Sequence, residues 1–234
     1  MVDSALYSSD KVEYGTPDWV KDPIIAALGL NFDAAASHEN HVLPRYATKD
    51  GVFVKNFSSP STPSGWRQYK NGLDFPWYGA RVWCNPPYGS GRMGHYLGQV
   101  ESSIETWVRK AALSTQVHRD FETGQQEVCE VAALLLPART ETEWFQRWVF
   151  PYAEVHFLMS RIKFIGGATS APFPSVIAVY SPDIVVPPGR ALARTLDLKS
   201  SGEFTSSILE SKSRENRVTV HHRSRGTTTR ESFR

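Results

Sequence analysis

Hydrophobic positions in this chain fall into short unbroken runs and longer stretches spaced by three and four. Val128 to Pro137 is the clearest unbroken run and predicts a buried strand. Arg81 to Cys84, Glu154 to Met159 and Pro174 to Tyr180 predict three more, and Leu30 to Ser37 predicts a short strand ending at an acid. Trp19, Val20, Ile24, Ile25 and Leu28 keep helical spacing, with Thr16 as the expected cap, Pro17 at the first helical position and a stop near Gly29. Tyr96, Val100, Ile104, Trp107, Val108 and Ala111 predict a second helix from about Arg92 to Ala112. Thr140 and Glu143 are spaced as a capping box for a third. Residues 38–72 and 114–127 read as irregular, and Pro182, Pro187 and Pro188 as the close of the domain. Strands alternating with helices predict an α/β fold with a three-layer sheet.

The strand Arg81 to Cys84 runs into Asn85-Pro86-Pro87-Tyr88. Two prolines cannot donate to a sheet ladder, so the strand stops at Asn85. Each proline also holds its predecessor extended, which stiffens the turn. The Asn85 amide and the Pro86 carbonyl become two fixed acceptors, with the Tyr88 ring beside them. Such a pair suits an amine on a planar base, whose two N–H groups it would hold while the nitrogen becomes nucleophilic. An aromatic wall grips a flipped base by stacking. Read blandly, the same residues are a Pro-Pro turn with a core tyrosine.

Composition narrows the classes. At 234 residues and 41% apolar, the chain has room for one core and a tail. No run reaches the length of a membrane span, and the first residues do not read as a signal peptide. Cys84 and Cys129 lie in apolar runs and make no metal spacing with the seven histidines, so both read as reduced core residues. The expectation is a cytoplasmic protein without a metal. Net charge is +2, yet residues 211–234 hold seven Lys and Arg against Glu215 and Glu231. That tail, basic and poor in large apolar residues, reads as disordered, either merely solvated or adding non-specific phosphate binding.

Other candidates sit at strand ends. Asp33 followed by Ala34, Ala35 and Ala36 offers an acid and close backbone approach for a nucleoside cofactor, or is a plain strand-to-loop turn. Asp74 would meet a polar edge of a cofactor's adenine or cap a turn. Arg139, just past the central strand, is placed for a ligand or phosphate. Arg161, Lys163 and Phe164 form either a solvated hairpin tip or a phosphate and base contact.

Several segments in order carry a resemblance: Gly15 to Pro17, Asp33 to Ser37, Pro44 to Tyr46, Trp83 to Gly89, Leu135 to Thr140, Arg161 to Phe164 and Ala171 to Ser175. From Tyr14 to Tyr180 the chain resembles the bacteriophage-type DNA N6-adenine methyltransferases. The resemblance implies a Rossmann-like methyltransferase sheet, mixed, with an antiparallel last strand. It implies S-adenosyl-L-methionine as cofactor and double-stranded DNA, with a flipped adenine, as substrate. Asn85, Pro86, Pro87 and Tyr88 would be catalytic, with Phe164 on the other side of the base. Asp33, Ala34, Ala35 and Asp74 would contact the cofactor, with Thr16 and Pro17 near its methionine end; Arg139, Arg161, Lys163 and Phe164 would bind substrate. A glycine-rich first loop, common in methyltransferases at large, is missing. The domains expected are an extension over 1–13, the methyltransferase over 14–196 and the tail over 197–234. Loops around 58–71, 113–127 and 161–172 would read the DNA. Alternatives are an amine methyltransferase acting on RNA or a protein glutamine, and an inactive nucleic-acid-binding relative.

Overall fold

The structure, a computed structural model, describes residues 15–55, 60–88, 103–119, 126–211 and 213. The chain divides into two compact units, Met1–Phe204 and Thr205–Arg234. In the second, 207–211 form a helical turn. The first is a mixed α/β unit.

Its elements run α1 (Asp18–Leu28), β1 (Phe32–Asp33), β2 (Arg45–Thr48), β3 (Gly51–Lys55), β4 (Pro60–Ser61), a 3-10 turn (Ser64–Trp66) and β5 (Arg81–Cys84). Then come α2 (Ile104–Ser114), β6 (His118–Arg119), β7 (Gln126–Glu127), β8 (Val131–Pro137) and a π-helical turn (Phe145–Val149). The unit closes with β9 (Ala153–Leu158), β10 (Ser175–Tyr180), β11 (Leu192–Leu196) and α3 (Leu198–Ser201).

Nine strands form one mixed sheet in the order β11-β9-β10-β8-β5-β1-β2-β3-β4, and β6 pairs with β7 alone. Strands β2, β1, β5 and β8 are parallel, with Asp33 opposite Trp83 and Cys84 opposite Leu134. Their carboxyl ends therefore share one edge. Strand β10 is antiparallel to β8 and sets Ser175 beside Pro137. It is antiparallel to β9 too, so the connection from Met159 to Pro174 returns to that same edge. This is the reversed strand expected from the sequence, but it is internal, because β9 and β11 lie beyond it.

The core follows from strand alternation. Val82 and Cys84 of β5, Leu134 and Leu136 of β8, and Val176 and Ala178 of β10 pack with Trp107, Val108 and Ala111 of α2 and with Phe145 and Val149. A fully buried side chain of this size contributes about 1.5–3 kcal/mol relative to exposure. Every residue of β8 and β10 is buried, so the opposite face is covered as well. Helix α1 buries Val20, Ile24 and Leu28 and stops at Gly29, whose φ of 59° is left-handed. Arg81 then donates from Nε and Nη2 to the Leu28 carbonyl and pairs with Glu130 at 2.8 Å, tying the helix end to the start of β5. Among the described residues, no helix is long and apolar enough to cross a membrane.

Several expectations are corrected. Helix α1 starts one residue later than expected, with Pro17 as its N-cap and no side chain capping it, so Thr16 is not a helix cap. The capping box at Thr140 and Glu143 does not form: Thr142 bonds the Arg139 carbonyl through both its N–H and its hydroxyl, and Glu143 is exposed. Residues 38–72 hold β2, β3 and β4 rather than irregular chain, with β2 and β3 joined by a tight turn at Lys49-Asp50. Strand β11 follows the prolines that read as the domain's close, and α3 follows it, capped by the Asp197 carboxylate on the Ser200 N–H. The expected second helix is described as α2 with Ser103 as its cap; residues 89–102, including Tyr96 and Val100, lie outside the described residues, as do 214–234 of the tail.

One glycine is required by space alone. A Cβ on Gly72 would stand 1.9 Å from the Ala34 carbonyl oxygen, whereas one on Gly65 would meet nothing within 4 Å. Backbone against backbone cannot yield as a flexible side chain would. Gly72→Ala is expected to lose about 3 kcal/mol in urea unfolding, and Gly65→Ala to stay within about 0.5 kcal/mol of wild type.

Candidate active site

The end of β5 sets the geometry. Its last ladder partner is Leu134, opposite Cys84. Continued in register, the Leu135 carbonyl would accept from the backbone N–H of residue 86, and Pro86 has none. The Tyr88 hydroxyl takes that place, donating toward the Leu135 oxygen at 3.2 Å and toward Asn85 Oδ1 at 2.7 Å. At its other end the Asn85 amide donates from Nδ2 to Thr16 Oγ1 at 3.3 Å. Asn85 is thus held between the segment before α1 and the turn that follows its own strand.

Thr16 reaches this position because its flanks are fixed. Gly15 exchanges two backbone hydrogen bonds with Ile165, at 3.1 and 2.8 Å, and Pro17 starts α1 on the other side. A Cβ on Gly15 would lie 3.2 Å from Ile165 Cβ and 3.4 Å from Asn40 Oδ1, so the segment fits closely between two loops. Thr16 itself is 3% exposed.

The electrostatics keep the cluster neutral. Burial, with a smaller push from Cys84, raises the Tyr88 phenol, which stays a donor at ordinary pH. The Cys84 thiol is fully buried and raised well above its usual value by burial first and by Asp33 second. A thiol so placed is a poor nucleophile. Phe173 meets the Tyr88 ring edge-on, with centroids 5.7 Å apart.

Asp33 lies one strand away at the same edge. Its Oδ2 accepts from the Val42 N–H at 2.9 Å and its Oδ1 from the Ala35 N–H at 3.4 Å, so it organises the loop that follows β1. Burial pushes its carboxyl up to about 7, against the opposing effect of those two donors. Among the described residues, no cationic side chain forms an ion pair with it. A buried carboxylate of this kind, beside the small Ala34 and Ala35, is suited to a ligand cation.

The remaining candidates divide. Arg139 follows β8 at the carboxyl edge. Between β9 and β10, Met159, Arg161, Lys163 and Ile165 are exposed while Ile162 and Phe164 point inward. Arg161 also donates to the Ala171 carbonyl at 3.2 Å. Phe164 is buried, and the ring found against Tyr88 is that of Phe173. Asp74 is exposed, accepts from the Lys70 N–H at 3.0 Å and acts on Lys110, whose ammonium burial lowers to about 8. It stands two residues beyond the contact between Gly72 and Ala34.

The described ends of one expected recognition loop lie elsewhere. At the ends of 113–127, the described chain attaches beside the start of β5: Cys129 N–H bonds the Ser114 carbonyl and Gly79 N–H bonds that of Val128. That is the amino edge, opposite Asn85. The contributions of Leu135 and Phe173 were not singled out from sequence, although both lie inside segments that carried the resemblance.

Searches of curated proteins and of solved structures return no significant match. A family model described as DNA N-6-adenine-methyltransferase (Dam) matches residues 3–179, most of the chain, and by that match the chain belongs to this family of DNA adenine methyltransferases.

Proposed function

We propose that the chain transfers a methyl group from S-adenosylmethionine to N6 of an adenine flipped out of double-stranded DNA, on a three-layer Rossmann-like sheet. The observation that carries this is the Asn85 amide, held at both ends where β5 is cut off by proline. When bound, the cofactor supplies an electrophilic methyl on a sulfonium. Asp33, with its buried and unpaired charge, would hold a cationic part of it, and Ala34 and Ala35 would let it lie close to the backbone. Pro17 and Asp74 complete that side.

On the base side, Asn85 Oδ1 and the Pro86 carbonyl accept the two hydrogens of N6. Drawing on both N–H bonds favours a pyramidal nitrogen with its lone pair available, and fixed acceptors do so without reorganising. The Tyr88 ring stacks on the base, supported edge-on by Phe173. The chemistry asks the protein for no nucleophile, only for orientation and charge stabilisation. Arg139, Arg161 and Lys163 lie on the edge that a duplex must approach and would hold its phosphates.

The deciding experiment incubates the protein with labelled S-adenosylmethionine and unmethylated duplex DNA, then identifies modified nucleosides by mass spectrometry. The expected product is N6-methyladenine, lost nearly completely with Asn85→Ala and largely kept with Cys84→Ala. N4-methylcytosine alone would overturn the base assignment. Cofactor binding without any DNA product would shift the reading to RNA or protein.

Asp33 makes binding pH-dependent. Its folded value of about 7 lies above the ordinary carboxylate value of 3.8, so the stability it lends the free protein is complete below that lower value and is lost as pH climbs through about 7. A bound cation acts in the opposite sense, because it needs the ionised form. Cofactor affinity by calorimetry is expected to rise about tenfold from pH 6 to pH 8, and Asp33→Asn to flatten that rise.

Lys163 is expected to act as a phosphate contact. Lys163→Ala should weaken binding uniformly across DNA sequences and reduce the slope of log affinity against log salt by about 1. An unchanged slope would remove Lys163 from the interface.

A further inference from the structure

The Asn85 amide has unlike ends. Turned by 180° about its terminal bond, it would present an NH2 group where an acceptor is needed, and an amine would meet a donor. Something must therefore hold the correct end forward when the target arrives. The contact at Oδ1 cannot do this alone, because the Tyr88 hydroxyl occupies the atom that the amine must use. The other end is bonded to Thr16 Oγ1.

Resting on the amine-transfer reading, we propose that Thr16 is a positioning residue for Asn85, fixing which end of the amide meets the target N6, and is not a cofactor contact. Three observations meet here. The Thr16 oxygen lies 3.3 Å from Asn85 Nδ2, the residue is 3% exposed, and the double hydrogen bond between Gly15 and Ile165 immobilises its approach. Threonine is β-branched, so its hydroxyl has few rotamers and little entropy to lose in holding this bond. Helix capping makes no claim on that oxygen, since α1 begins without a side-chain cap. The hydroxyl is left for Asn85.

The test compares Thr16→Val, which keeps the shape and removes the oxygen, with Thr16→Ser, which keeps the oxygen. Methyl transfer to duplex DNA is followed at saturating cofactor, and cofactor affinity is measured separately by calorimetry. Thr16→Val is expected to lower kcat at least tenfold with the cofactor Kd within twofold of wild type, and Thr16→Ser to restore most of the rate. A second comparison uses Asn85→Asp, whose two carboxylate oxygens are equivalent and need no orienting. In that background the loss caused by Thr16→Val should shrink below threefold, whereas a role in folding or in cofactor binding would persist. If Thr16→Val does not fold, as judged by its melting curve, Thr16→Ala takes its place in both comparisons.

A Thr16→Val enzyme with unchanged kcat and a cofactor Kd raised tenfold would overturn the inference and leave the methyl-transfer reading standing. An equal loss in both Asn85 backgrounds would also overturn it. A wild-type protein that methylates no adenine would overturn the reading and the inference with it.

Discussion

The structure turns on a missing backbone donor. Pro86 ends β5 where the neighbouring strand β8 continues, and the Leu135 carbonyl loses the partner that a longer ladder would provide. A buried carbonyl left alone costs about 1–3 kcal/mol, so the gap must be filled. The Tyr88 hydroxyl fills it and, in reaching back, meets Asn85. The same two prolines that stop the strand therefore also bring the aromatic ring over the amide. A residue with an N–H at position 86 would satisfy Leu135 itself and release Tyr88.

A second constraint lies one strand away. Among the described residues Asp33 is buried with two backbone N–H donors and no cation, and burial pushes its carboxyl up to about 7 against those donors. Burying a carboxylate costs several kcal/mol even after relaxation. The fold tolerates this at the carboxyl edge and closes the loop around it tightly. Gly72 against the Ala34 carbonyl shows how close the neighbouring chain comes. Close backbone approach is made here between Ala34 on one side and Gly72 on the other.

Much of this was legible in the sequence where one force dominates. Strand β5 was read to the residue, because an apolar run followed by two prolines has one structural outcome. Helix α1 was displaced by a single position: Thr16 and Pro17 satisfy the local rules for a cap and a first helical residue, yet the helix begins at Asp18 without a side-chain cap, and the Thr16 hydroxyl bonds Asn85, 69 residues away. Strands β2 and β3 were missed because each is short and polar at one end, and the turn between them, Lys49-Asp50, lies within a run that reads as irregular. Strand β11 is half exposed and alternates weakly, so its pairing with β9 carries no local signal. The attachment of the described ends of 113–127 at the amino edge was not legible for a different reason. Composition identifies a surface loop, but only strand direction says which edge it occupies.

On the proposed reaction, a base can enter without leaving any of the groups around Asn85 unpaired. The Tyr88 hydroxyl has one proton and two acceptors within reach, Asn85 Oδ1 and the Leu135 carbonyl. An amine that donates to Oδ1 releases the tyrosine proton to Leu135 alone, and no buried oxygen is left unpaired. The ring can then stay beside the amide, backed by Phe173, while the base settles on it. Base entry thus exchanges one donor for another at Oδ1 and leaves the bond between Nδ2 and Thr16 in place. The geometry that pairs these groups is the one that would receive the amine.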